Sequence, residues 1–247
     1  MRYASRTTTG YLTADYFPSG VKWLLISNVA LFVLYVLLDI SGSEFIFSPF
    51  KLWPREGFHF WQPVTYMFLH DPTGIFHILF NMLSLWMFGA DLERSWGRDR
   101  FLKYYFFCGI GAGICSVIAN RLFSQPEVPT IGASGAIYGV LLAYGMTFPD
   151  RMVLFSFLFP MKAKYFVMLI GAIDFYGAIR TPGGPISHIA HLGGLLFGYL
   201  YLRQNLGAMK FTLGTTLRKR YQQYRIDRAK RKFQIYMKKQ DRDRTIH

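Results

Sequence analysis

Apolar runs long enough to cross a bilayer constrain this chain more than any other feature. A helix needs about 20 mostly apolar residues to cross a hydrocarbon core of about 30 Å. The clearest run is "WLLISNVALFVLYVLLDI", Trp23 to Ile40, uncharged until Asp39. Others cover Gly74 to Ala90, Phe101 to Leu122, Ile131 to Phe148, Tyr165 to Ile179 and Ile186 to Leu202. In lipid each segment must satisfy its own backbone polar groups, which selects helices. The expectation is an all-α fold, a polytopic membrane helical bundle of six transmembrane helices. A seven-residue stretch, "VLFSFLF" (Val153 to Phe159), is too short to span and is expected to be interfacial or re-entrant. The first run is longer than a signal peptide's apolar core of about 7–15 residues and no A-x-A site follows it, so it is expected to stay uncleaved.

Charge orders the runs in space. Of 28 Lys and Arg residues, 14 lie from Arg203 onward, against the acids Asp227, Asp241 and Asp243. The chain therefore divides into an N-terminal arm (1–21), a six-span core (22–203) and a basic tail (204–247). A basic block directly after a span marks the cytoplasmic side and contacts anionic lipid; no nucleic-acid module accompanies it. The arm and the first core residue carry Arg2, Arg6 and Lys22 against Asp15, and the second connection carries Arg94, Arg98 and Arg100. With six spans all three basic regions fall on one side, so both termini are expected in the cytoplasm.

That topology makes the second, fourth and sixth runs enter from the outer face, and each opens on polar residues. The second opens "GIFHILFN" with His77 and Asn81, the fourth "GASGAIYG" with Ser134, and the sixth "ISHIAHLGG" with His188 and His191. At 1.5 Å per residue all lie within one or two turns of the outer end. Ionisable groups inside a span are rare and mark functional sites by default.

A serine hydroxyl becomes a nucleophile when a base takes its proton, and histidine suits that near neutral pH. Ser134 with a histidine of the sixth run makes such a pair. His191 is the better base, one turn deeper than His188 and beside the glycines. Gly135 and Gly139 on one run, and Gly194 and Gly198 on the other, are spaced four apart and let two backbones approach closely. Tyr138, one turn after Ser134, could orient the imidazole. His77 and Asn81, at i and i+4, present an imidazole N–H and an amide NH₂ to a developing oxyanion, joined by backbone N–H groups near Ser134. Asp39 and Asp174 lie near the outer ends of their own runs without a placed relation to His191, so a Ser–His dyad is expected rather than a triad. No cofactor and no metal is expected: H-E-x-x-H does not occur, and Cys108 and Cys115, inside the third run, suit apolar filling. Paired aspartates in a Gly-x-Gly-Asp setting are absent, and "GASGA" is not the G-x-S-x-G elbow, which follows a strand.

"HILFN" (His77 to Asn81), "GASGAIYG" (Gly132 to Gly139) and "AHLGGLLFG" (Ala190 to Gly198), in this order, resemble the motifs of the rhomboid intramembrane serine proteases across residues 20 to 203. The resemblance implies Ser134 as nucleophile, His191 as base, an oxyanion hole of His77, Asn81 and the Ser134 backbone, and Tyr138 stacked on the base. It implies transmembrane proteins as substrates, cut in or near their spans. The six-span core looks like the basic bacterial type, placing the protein in a bacterial inner membrane with its active site toward the outer side. Two departures stand out: the family's Trp-Arg is here Trp61-Gln62, and His70 lies seven residues before His77 instead of about five. Glu93 and Arg94 match a common structural pair. A non-catalytic relative that routes membrane clients is the competing reading, opposed by the presence of both Ser134 and His191; a transporter is opposed by the lack of an inverted repeat.

Overall fold

The computed structural model describes residues 17–54, 57–122, 128–155, 159–180 and 188–204. Most of the N-terminal arm and nearly all of the basic tail therefore lie outside the described residues. Helix α1 is Ser19–Ile40. Helix α2 is Ile75–Trp96 and α3 is Arg98–Leu122; with α1 these are the three helices among the described residues long and apolar enough to cross a membrane. Helix α4 is Ser134–Thr147, α5 is Ala163–Arg180, and α6 covers residues 188–204. Each falls within or around one of the apolar runs.

Two buried glutamine and glutamate side chains organise the ends of this bundle. Glu93 on α2 accepts hydrogen bonds from the backbone N–H groups of Gly20 and Val21, at 2.8 and 2.7 Å. A carboxylate at a helix N-terminus satisfies donors that the helix cannot, and complements its dipole. Next to Glu93, Arg94 bonds Asp91 at 2.7 Å, an acid that Arg151 also reaches. Adjacent residues on a helix point about 100° apart, which separates their partners.

Between α1 and α2 the chain makes a 3₁₀ turn at Glu44–Phe50 and a helical turn at Gln62–Thr65. Gln62 is fully buried. Its carbonyl oxygen accepts from the Trp53 N–H at 3.1 Å, and its amide donates to the carbonyls of Pro49 and Gly57 at 3.2 and 2.7 Å. One neutral side chain therefore cross-links three points of this connection. Leu52 and Thr130 exchange backbone hydrogen bonds, tying it to the segment that leads into α4.

The all-α expectation needs one correction. Met152–Phe155 (β1) pairs antiparallel with Phe159–Lys162 (β2), with Val153 opposite Met161. The described ends of the stretch expected to be interfacial or re-entrant therefore lie in two paired strands. An isolated helix that short is marginal, whereas pairing two strands satisfies backbone groups between them. Val153 is buried while Met152 and Leu154 are exposed, the alternation of a strand with one covered face.

The glycines set how closely the helices approach. A Cβ added at Gly194 would lie 1.9 Å from the Gly135 carbonyl oxygen, and one at Gly198 would lie 3.3 Å from the Gly139 Cα. Helices α4 and α6 therefore meet backbone to backbone. On its other side α4 faces α3, where a Cβ at Gly135 or Gly139 would lie 2.5 Å from the Ala112 Cβ or the Cys108 Sγ. Both cysteines are free, Cys108 buried; a Cβ at Gly193 would lie 2.8 Å from the Cys115 Cβ. They fill the gaps that the glycines leave.

Candidate active site

The backbone contact between α4 and α6 brings Ser134 and His191 together. Ser134 is the first residue of α4, and its Oγ lies 2.8 Å from His191 Nε2. Tyr138, one turn on, stacks on the His191 imidazole with ring centroids 4.1 Å apart and planes 9° from parallel. His191 is 9% exposed and Ser134 half-buried, so the pair is largely removed from solvent.

His77 and Asn81 come from α2. The His77 ring packs over the turn before Ser134: a Cβ on Gly132 would meet its Cε1 and Nε2 at 3.0 Å. Gly132 has φ +116°, a conformation that side chains rarely adopt, so glycine serves both the turn and the approach of the ring. Its N–H donates to the Tyr66 carbonyl at 2.9 Å, fixing the entry into α4. Buried Asn81 donates from Nδ2 to the His77 carbonyl at 2.8 Å, which leaves one amide hydrogen for another acceptor. The first N–H groups of α4 have no partner within the helix.

One residue of this site was not expected. Asp174 on α5 is 3% exposed, and its Oδ1 lies 2.8 Å from His191 Nδ1 and 2.7 Å from His188 Nδ1. Sequence reading left it without a relation to His191. The usable signal was an acid within an apolar run, near its outer end; six residues before the end of α5, it sits about 9 Å below that end. Helix α5 runs opposite to α4 and α6 in the expected topology, so that position returns Asp174 to their depth. Asp174, His188 and His191 also form a metal-capable cluster, with donor atoms within 4.8 Å of one another, but here those donors already satisfy each other.

His70 is fully buried against His77, ring centroids 5.1 Å apart. Neither of its ring nitrogens makes a well-formed hydrogen bond. Burial, with His77 adding to it, pushes its pKa down to about 3, which keeps the ring neutral.

Apolar helices and a buried serine–histidine pair define a membrane-embedded helical protein with the makings of a hydrolase. The rhomboid domain model matches residues 57–205, and the chain belongs to the rhomboid family. It is similar to Rhomboid protein 1, mitochondrial, of Saccharomyces cerevisiae, 33% identical over 51% of this chain and 36% of that one. Rhomboid protease GluP of Bacillus subtilis (strain 168) is 36% identical over 56% of this chain and 25% of its own length. YdcA of the same organism is 32% identical over 73% of this chain and 81% of its own length. The chain thus spans about a third and a quarter of the first two relatives, and most of the third.

Proposed function

We propose that this protein is an intramembrane serine endopeptidase that cleaves transmembrane segments of other membrane proteins, with Ser134 as nucleophile and His191 as base. The observation that carries the proposal is the 2.8 Å contact between Ser134 Oγ and His191 Nε2. As Oγ attacks the scissile carbonyl carbon, its proton passes to Nε2 and the carbonyl π electrons move onto oxygen. The oxyanion is met by the Ser134 backbone N–H, the His77 ring and the free Asn81 amide hydrogen. The imidazolium then protonates the leaving amine as the C–N bond breaks, and water, activated by the same imidazole, releases the acyl group. Tyr138 holds the ring plane throughout. Gly135, Gly139, Gly194 and Gly198 serve the pair by keeping α4 and α6 in contact.

In this reading α4, α5 and α6 join the three long apolar helices to make a six-span core over residues 22–203. Helix α4, with 14 residues, is only about 21 Å long. Seated at the inner interface it would leave Ser134 roughly 9 Å below the outer edge of the hydrocarbon core. That recess suits a bond inside or near a substrate's span. The arm (1–21) and basic tail (204–247) face the cytoplasm, the tail against anionic lipid, and the active site faces outward. A bacterial inner membrane is the proposed location; the family also includes mitochondrial relatives.

A fluorophosphonate probe on the detergent-solubilised protein tests this. Native protein is expected to label, while Ser134→Ala and His191→Ala fall at least 1,000-fold. Full labelling of Ser134→Ala would overturn the assignment.

A further inference from the structure

We propose that Asp174 is a positioning residue for the base, fixing the tautomer and orientation of His191, so that the site works as a triad whose acid comes from α5. This rests on the protease reading above and deepens it. An ionised carboxylate can only accept hydrogen bonds. With Asp174 Oδ1 at 2.8 Å, His191 Nδ1 therefore carries the proton. The lone pair is left on Nε2, the nitrogen facing Ser134 Oγ at 2.8 Å. The opposite tautomer would point a proton at the hydroxyl and could not accept one. Two contacts then define the ring: Tyr138 sets its plane from the face, and Asp174 sets its rotation from the edge.

The carboxylate is itself held. His188 Nδ1 donates to the same Oδ1 at 2.7 Å, and its ring stands at 90° to that of His191. A Cβ at Gly177 would lie 2.6 Å from the His188 ring, so α5 makes room for this second imidazole. His188 thereby holds Asp174 toward His191. During acylation the Ser134 proton moves to Nε2, and the positive charge that forms on the ring faces the carboxylate. The proton on Nδ1 stays on His191, and Asp174 remains ionised. A buried carboxylate is costly unless paired, and these two N–H donors, with the charge that develops in the reaction, account for an acid on an apolar helix.

The test compares Asp174→Asn and His188→Ala with the native protein, reading fluorophosphonate labelling rate, kcat and KM for a fluorogenic transmembrane peptide, and the unfolding midpoint in detergent. Asp174→Asn is expected to lose at least about 100-fold in labelling rate and in kcat, with KM within about twofold and an unchanged unfolding midpoint. His188→Ala is expected to lose less, about fivefold. An Asp174→Asn protein that labels within threefold of native overturns the proposal, as does a loss matched by a rise in KM and a fall in the midpoint. Should Asp174→Asn fail to fold, ¹⁵N-histidine NMR of the native protein decides. A strongly downfield ring N–H proton must appear, persist in Ser134→Ala and vanish in His191→Ala; a folded native protein without it overturns the proposal. Native protein that shows this resonance yet never labels would instead sink the protease reading.

Discussion

At the scale of single residues, the polar side chains buried in this protein divide into those that bind backbone and those that bind each other. Gln62 is of the first kind. Its oxygen and nitrogen between them engage three backbone groups. Gln62→Ala removes the side-chain partner of the Trp53 N–H and the Gly57 carbonyl, while the Pro49 carbonyl keeps the Trp61 Nε1 donor; it is expected to cost about 2 kcal/mol, read as a lower unfolding midpoint in detergent. An unchanged midpoint would remove Gln62 from the account of this connection. His70 is an exception to the division, buried without a well-formed hydrogen bond. Its folded pKa of about 3 lies below the 6.5 of an unperturbed histidine, so on acidification the unfolded chain takes up the proton first. Stability is intact above about pH 6.5 and is lost as pH falls toward 3, by about 2 kcal/mol at pH 5. His70→Phe should flatten the stability profile between pH 7 and 5, and an equally steep fall in that variant would refute the assignment. The contact of Ser134 with His191, and the packing of His77 on the turn before Ser134, were legible because each residue sits in a motif at the mouth of an apolar run. Asp174 and Gln62 were not legible in this way, because their partners are far away in sequence and chain position alone does not pair them.

At the scale of elements, the crossing of α4 and α6 is the most demanding contact in the bundle. A methyl at Gly194 would fall 1.9 Å from a backbone oxygen, which cannot move without moving the helix. Gly194→Ala is therefore expected to cost more than about 3 kcal/mol and to abolish probe labelling, since parting the helices separates Ser134 from His191. Gly171→Ala is the matched control. Its Cβ would meet only the Leu195 Cδ1, at 3.3 Å, so a change within about 0.5 kcal/mol is expected. Equal effects of the two substitutions would show that the close crossing is not what matters. The glycine spacing announced this contact in the sequence, since small residues four apart line one helix face. The strand pair was hidden for the opposite reason: a short apolar run carries no periodicity that separates strand from helix, and only the pairing partner, Phe159–Lys162, decides it.

At the scale of the whole molecule, order along the chain and order in space are stitched by a few long-range hydrogen bonds. The bond from Gly20 to Glu93 spans 73 residues and that from His191 to Ser134 spans 57. Glu93→Ala removes two acceptors from the start of α1, and a loss of roughly 3 kcal/mol is expected, visible as thermal unfolding at lower temperature. A stability equal to native would mean that α1 is held by its apolar contacts alone. The apolar runs announced where α1 to α6 fall along the chain, and among the described residues three of these helices are long and apolar enough to cross a membrane. How α5 turns Asp174 inward depends on packing, which the runs do not encode. The meeting of α4 and α6 also has an evolutionary consequence. Backbone meets backbone along much of that seam, so Ser134 and His191 add one hydrogen bond to a contact that the glycines set. A descendant that exchanged Ser134 or His191 would lose its chemistry and keep its architecture, inheriting an intact scaffold free to be recruited for another task.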